Sequence, residues 1–475
     1  MPREHRRALT KRSDYMEASD MAQQSNQMKN VGAARTGAVF SDVKQELGGI
    51  AEYALEKLRA AGADGAELGI SRGRTDEMNV DGGKFSLLRT TFNSALSIRA
   101  LVGGRKGSAV TNSLERGEID RAAAEAVGAA KTSEPDDAEY VAESIGEREF
   151  VLGAGACDLD LVYERVREFL DQSAERFPKI EISQMITRYT ASDSLYANSN
   201  GSRAYTRAAH YGNSGMLCAR DGDKVSSFNG FGYGAEDFRT PILARGEMYR
   251  VLAETERQID TVPVSGKFVG RLLVSPDCLR DFLFSVLGAC VYDAALIAGS
   301  SPWKSKLGEA VADSRVHLAL DPLDGRVVCG ARVTGDGHLT ERQELVRSGV
   351  LTGFALSQYG AKKTGRPRAG NVSGNLIVGA GTRSFEELVA ATGDGLLINR
   401  FSGGSPALSG EFSGVAKNSF LIRGGEVAHA VSETMVSGNL LDMLQNVVEI
   451  GGEAVADGGG AAPWIVFDCV TISGK

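Results

Sequence analysis

The sequence predicts an α+β protein of two domains, an N-terminal antiparallel sheet with flanking helices and a C-terminal, mainly antiparallel β domain with one long apolar helix. Three observations carry this. The chain has 475 residues, more than one hydrophobic core ordinarily serves, so length favours two or three domains. Glycine is abundant at 58 residues while aromatic content is only 7%, and many glycines suit the tight turns and close backbone approaches of antiparallel sheets. The apolar pattern also switches repeatedly between a period near 3.6 and a period of 2.

Residues 1–38 are polar and unpatterned and are expected to form a disordered extension, because they bury too little apolar surface to offset the entropy of ordering. The first helical period runs from Ser41 to Ala61, with Val43, Leu47, Ile50, Ala54, Leu55 and Leu58 on one face. Gly62-Ala-Asp-Gly65 stops it. Strand-like alternation follows at Ala66–Ser71, Leu88–Phe92 and Ala95–Val102, and Gly103-Gly104 turns the chain into Lys106–Thr111. Leu114–Ala130 reads as an alanine-rich helix. Leu159–Arg176 reads as a third helix, whose acidic start at Asp158 and Asp160 suits the positive end of its dipole. Strands return through Ile180–Tyr205, with a turn at Asn198-Ser-Asn-Gly201, and through Tyr211–Tyr233. The polar stretch Asp237–Pro241 is the expected boundary, giving domains at 40–240 and 241–475, with Glu247–Ile259 as a connecting helix. The second domain opens with a buried strand at Gly270–Ser275. Pro276-Asp277 then starts an apolar helix expected to continue to Ala298. Gly424-Gly425, between two apolar runs, signals a hairpin. A helix at Leu440–Glu449 and a strand at Trp464–Ile472 finish the chain.

Composition excludes several functions. Hydrophobic content of 42% and charged content of 24% are those of an ordinary globular protein. A net charge of −8 with no dense basic stretch argues against a nucleic-acid partner. The longest apolar run, Phe282–Ala298, is interrupted by Asp293 and falls short of the ~20 residues needed to span a bilayer. The first 30 residues lack the apolar core of a secretory signal. A cytoplasmic location is therefore expected, with no membrane association. The six cysteines, Cys157, Cys218, Cys278, Cys290, Cys329 and Cys469, are scattered and read as small core residues. Cys469, inside the final strand, is expected in the core. Neither a phosphate-binding loop nor a nucleophile elbow is formed: Gly451–Gly460 lacks the following Gly-Lys-Ser/Thr, and Ser409 has Ala407 and Glu411 where glycines are required.

An ordered series of motifs carries a resemblance. It includes Val80-Asp-Gly-Gly-Lys, Ile98–Ala109, Asn198-Ser-Asn-Gly201, Leu339–Phe354, Tyr359-Gly-Ala-Lys-Lys-Thr-Gly, Glu411–Ala416, Ser419–Val427 and Val431–Leu440. Each is weak alone; in this order, from Val80 to Gly451, they resemble the TldD/PmbA family of zinc-protease subunits. The resemblance implies a two-subunit metallopeptidase whose catalytic half binds zinc through His-Glu-x-x-x-His on a helix near the start of the second domain. Here Tyr292-Asp-Ala-Ala-Leu-Ile297 stands in that region, so Tyr292, Asp293 and Ile297 mark a degenerate motif. The five histidines, His5, His210, His317, His338 and His429, are too far apart for two imidazoles to face one ion from a single helix. The stretch Ala456–Ala462 also lacks the cysteine of the family's C-terminal zinc loop. The chain therefore resembles the metal-free PmbA/TldE side of the pair. That implies no catalytic residue and no cofactor of its own, and a TldD-like partner supplying zinc and the general base. It also implies a cavity for an extended peptide or modified peptide, bound largely through its backbone.

Two departures from the family pattern, Ser300–Leu307 and Lys363–Asn371, make Trp303, Arg368 and Asn371 the candidate cavity residues. Two other readings stay open: a specialised pair that hydrolyses an amide in a natural-product precursor, and a stand-alone homodimeric binding protein without hydrolytic activity.

Overall fold

The computed structural model describes residues 39–404, 406–432 and 434–474; the extension expected at 1–38 lies outside them. The first helix, α1 (Val39–Ala60), leads into an eight-stranded sheet. Its strands are β1 (Gly65–Asp81), β2 (Lys84–Val102), β3 (Arg105–Thr111), β4 (Glu147–Gly153), β5 (Ile180–Asn198), β6 (Arg203–Asp221), β7 (Lys224–Val225) and β8 (Asn229–Ala235), in the order β3-β2-β1-β5-β6-β4 with β7 and β8 on β6. Four of these strands are 17 to 19 residues long, long enough to carry two helix layers on one face. Near one end, Leu47, Ala51, Leu55 and Leu58 of α1 and Ala122, Ala123 and Ala126 of α2 (Arg116–Thr132) bury Leu68, Ile70, Leu96 and Ile98. Near the other, Val162, Val166 and Phe169 of α3 (Leu159–Arg176) cover Met78, Val80, Met185 and Leu217. The alanine content of α2 has a steric purpose. A Cβ at Gly107 of β3 would lie 2.0 Å from the Ala126 carbonyl oxygen, so helix and strand backbones meet with no side chain between them. The acidic start expected for α3 also caps it, the Asp158 carboxylate accepting from the Leu161 N–H at 3.0 Å. The sheet is not wholly antiparallel: β4 runs parallel to β6.

The helix α4 (Met248–Arg257) connects to a second, fourteen-stranded sheet. This one is mixed, with a few parallel pairings inside a sheet that is mainly antiparallel, as expected. Its central strand β22 (Ala461–Ser473) lies antiparallel to β10 (Lys267–Val274) and parallel to β14 (Leu376–Val378), and β10 is parallel to β15 (Gly395–Ile398). Strands buried on both faces read as continuous apolar runs, as Leu272-Leu273-Val274 and Leu396-Leu397-Ile398 do. The hairpin at Gly424-Gly425 forms as expected between β18 (Ser419–Arg423) and β19 (Glu426–Ser432).

The long apolar helix is not there. Instead α5 (Pro276–Cys290), capped by the Ser275 hydroxyl, is followed by a five-residue helix, α6 (Asp293–Ile297). The break has a tertiary cause. The Val291 carbonyl accepts from the Ala355 N–H at 3.0 Å, and Tyr292 forms a parallel bridge with Ala355, which takes the chain out of helical register. The last helix is also shorter than expected, α9 (Leu440–Gln445) giving way to a strand at Val447. Cys469 is exposed and not in the core. It sits at φ 64°, beside the register shift where β22 meets Gly270 and Leu272; a bulge of this kind turns one side chain out of the alternation. Cys218, Cys278 and Cys290 are buried, and Cys157 and Cys329 are half-buried. Among the described residues, no helix is long and apolar enough to cross a membrane.

Candidate functional site

The region expected to hold a degenerate metal motif is committed to structure. Asp293, at the start of α6, accepts from the Ser357 N–H at 2.9 Å and from the Ser357 hydroxyl at 2.5 Å. Ser357 in turn caps α7 (Gln358–Thr364), accepting from the Gly360 N–H at 3.1 Å. A Cβ at Gly360 would lie 2.0 Å from the Asp293 carboxylate, so the acid packs directly on the first turn of α7, where negative charge is favoured. The Tyr292 hydroxyl donates to the Ser373 carbonyl at 3.3 Å, and Ile297 is 40% exposed on the outer side. Among the described residues, no group of three or more His, Cys, Asp or Glu side chains is placed to hold a metal ion.

The C-terminal loop in which the family pattern would have a cysteine is also built on an ion pair. Asp457 accepts from the N–H groups of Gly459 and Gly460 at 2.8 and 2.9 Å, and Arg280 of α5 reaches it at 2.9 Å. The Asp457 carbonyl accepts from Gly234 of β8 at 2.6 Å. One turn thus ties α5 to both sheets.

Of the three cavity candidates, only Arg368 keeps accessible surface. Trp303 is 3% exposed within the core of the second sheet, and Asn371 is 2% exposed. The Asn371 amide donates to the carbonyls of Leu320 and Glu341 at 2.9 and 2.7 Å, while its oxygen accepts from Ser373. It is a scaffold for the loop around it. Arg368 is half-buried beside Tyr140 and His338, where its charge acts on both groups.

That neighbourhood is the polar seam between the two sheets. The Tyr140 hydroxyl donates to the Asp336 carbonyl at 3.2 Å and lies 3.2 Å from Nε2 of His338, and the two rings stack with centroids 6.3 Å apart. Arg99 of β2 links Glu67 and Glu139, each at 2.7 Å, and donates to the Tyr140 carbonyl. Across the seam, Asp136 takes Lys363 at 2.8 Å and the Tyr359 hydroxyl at 2.9 Å. Lys363 beside it, helped by the Ala138 N–H and by Tyr359, holds the Asp136 carboxyl down to about 2. Burial first, and then the charge of Arg368, lowers the His338 imidazole below its usual range, and burial raises the Tyr140 hydroxyl. A neutral imidazole and a protonated phenol suit hydrogen bonding more than proton transfer at neutral pH. The sequence did not single out this seam, since its partners lie as much as 223 residues apart. A separate open cavity of about 220 Å³ lies between α1 and the β5–β6 turn, lined by Glu52, Glu56, Arg59, Ser199 and Arg203. Arg203 is already committed there to the carbonyls of Asn198 and Ser202.

Comparison with known proteins agrees with this architecture. Residues 266–474 match the PmbA/TldA metallopeptidase C-terminal domain and residues 66–130 match PmbA/TldA metallopeptidase domain 1. The chain is 24% identical to "Metalloprotease PmbA" of Escherichia coli O157:H7, covering 84% of this chain and 89% of that protein. It is 26% identical to "Metalloprotease PmbA homolog" of Haemophilus influenzae, covering 93% and 99%. Its fold resembles that of TldE from Thermococcus kodakarensis, with a TM-score of 0.78 at 20% identity over 90% of this chain and all of that one.

Proposed function

The chain belongs to the PmbA/TldD metallopeptidase family, and from that premise we propose that it is the metal-free, TldE-like partner subunit of a two-component zinc metallopeptidase. In this reading a TldD-like chain supplies zinc and the general base. The present chain, with domains at 40–240 and 241–475, completes the cavity that receives an extended peptide, in the cytoplasm. The observation that carries the reading is the commitment of Asp293 and Asp457: both acids sit where the family pattern calls for metal chemistry, and both are consumed in caps and ion pairs. A scaffold kept whole without a free acid–base pair at that place contributes by binding or by completing a partner's site. Arg368 at the seam is the side chain most suited to meet substrate, because it combines charge, partial burial and accessibility.

The test is co-expression with a TldD-like chain carrying His-Glu-x-x-x-His. A stable 1:1 complex is expected, with peptide hydrolysis only in the mixture and about one zinc per complex, carried by the partner. A partner as active alone as in the mixture, or one tightly held zinc on this chain in isolation, would reject the reading. Hydrolysis confined to one modified peptide would instead support the specialised pair acting on a natural-product precursor.

A further inference from the structure

Among the described residues, Arg332 and Arg368 differ from every other half-buried arginine. The others reach a carboxylate, as Arg99 and Arg250 do, or a backbone carbonyl, as Arg203 and Arg366 do. Arg332 and Arg368 make no hydrogen bond, ion pair or ring contact with the described chain. A guanidinium carries its N–H donors and its charge at every physiological pH, so half-burial without an acceptor is unfavourable. A ligand carboxylate satisfies two of those donors in one planar contact.

Both arginines stand where loops of the second domain meet β5 and β6. Arg332 and His338 belong to one hairpin, closed by the Val333–Leu339 bridge and by the Thr340 N–H on the Arg332 carbonyl at 3.0 Å. Gly337 of this hairpin fits so closely on Tyr196 of β5 that a Cβ would meet the tyrosine hydroxyl. The charge of Arg332 acts on Cys329, whose Sγ lies 3.4 Å from the Ala209 carbonyl of β6. The charge of Arg368 acts on Tyr140 and His338, and the Lys362 ammonium lies over the Tyr140 ring, 4.9 Å from its centroid. The acids of the seam do not neutralise this group. Glu67 and Glu139 are held by Arg99, and Asp136 by Lys363. The Asp336 carboxylate accepts from the Thr334 hydroxyl at 2.6 Å and from the Gln358 N–H at 2.8 Å. Glu143 and Glu236 are exposed and act on His338 and Cys329, but neither forms an ion pair with Arg332 or Arg368. In a chain of net charge −8, cations left open along one seam are a local feature and not a general property of the surface.

We propose that this seam binds the carboxylates of a peptide ligand, with Arg368 and Arg332 each taking one and Lys362 assisting at the rim. The substrate class is then an acidic peptide, an assignment that rests on the cavity role given under the proposed function.

Fluorescence anisotropy tests it with the full chain, alone and mixed 1:1 with a TldD-like chain. The probes are short labelled peptides, acetylated and amidated, with glutamate at alternate positions or glutamine in the same places. The glutamate peptide should bind at least about tenfold more tightly, and the gap should narrow as salt rises. Arg368→Gln and Arg332→Gln should each remove most of the gap while leaving the melting temperature and the affinity for the glutamine peptide unchanged. Arg368→Lys should keep part of it, because the charge remains and the planar contact is lost. Arg121→Gln, at an exposed position on α2, alters net charge equally and should leave the gap intact. Tight binding of the glutamine peptide once its C-terminus is left free would assign one of the two carboxylates to the terminus. Binding of neither peptide, equal binding of both, or a gap that survives both arginine variants overturns the proposal. A gap in a mixture that hydrolyses neither peptide rejects the peptidase reading and keeps the carboxylate site. Hydrolysis of both peptides at one rate, with no gap, does the reverse.

Discussion

Replacing Glu254 with glutamine should make the protein more stable above neutral pH, by an amount that the structure fixes in sign and scale. Glu254 lies on α4 with its side chain 12% exposed, its Oε2 accepting from the Asn399 amide at 2.6 Å and its Oε1 forming an ion pair with Arg250 at 3.8 Å. Burial raises its carboxyl from 4.5 to about 7, against the opposing pull of Arg250 and Asn399. A proton held that much more firmly in the fold corresponds to about 3 kcal/mol. Because the folded value is raised, this contribution is complete below pH 4.5 and is lost as pH climbs through 7, where the fold must carry a poorly solvated anion. Glutamine imitates the protonated acid and keeps an oxygen for Asn399. Wild type and Glu254→Gln should therefore unfold at similar urea concentrations near pH 4.5, and the variant should be ahead by up to about 3 kcal/mol at pH 8. Trp303 and Trp464, the only two tryptophans and both buried, give the fluorescence signal. A wild-type-to-variant difference that does not change between those two pH values would refute the reasoning.

Gly107→Ala should lower stability by ~2–4 kcal/mol, because the added methyl meets the α2 backbone, which has no flexible end to yield; thermal unfolding reads it. Asp293→Ala should cost ~1–3 kcal/mol by stranding the Ser357 N–H and removing an acid from the start of α7, while hydrogen exchange in Gln358–Thr364 should speed up. The lowered imidazole of His338 means that the unfolded chain takes up a proton first as pH falls below about 6.5, so the seam should weaken from there downward. In His338→Asn the loss of stability between pH 6.5 and 5 should be shallower, and urea titrations across that range would show it.

Local chemistry was readable wherever neighbours in sequence decide the outcome. Leu159–Arg176 forms the helix its period and its acidic start at Asp158 and Asp160 foretell, and Gly424-Gly425 makes its hairpin. Reading failed where a distant backbone intervenes. Nothing near Val291 announces that its carbonyl is claimed by Ala355, so an apolar run crossed only by Asp293 looked like one continuous helix. The same holds for the site. Trp303 and Asn371 attracted notice as departures from a family pattern, but such departures do not report burial, and both prove to be enclosed. Arg368 was found by the same signal and does reach the seam. Tyr140 and His338 had no signal at all, since a stacked pair separated by 198 residues leaves no spacing to recognise.

The position of β22 bears on how the protein is made. This strand is the shared neighbour of β10, β14, β20 (Thr434–Asn439) and β21 (Val447–Ala456), and all four leave the ribosome before it does. Until Ala461–Ser473 emerges, β10 and β14 have no strand between them, and the apolar face of α5 has only part of its cover. The second sheet therefore cannot close progressively during synthesis. It waits, partly assembled and sticky, for its last thirteen residues. A ribosome that stalls or a protease that trims within that stretch would leave not a shortened protein but an open sheet, recognisable to the cell's quality control by the hydrophobic strands it fails to hide.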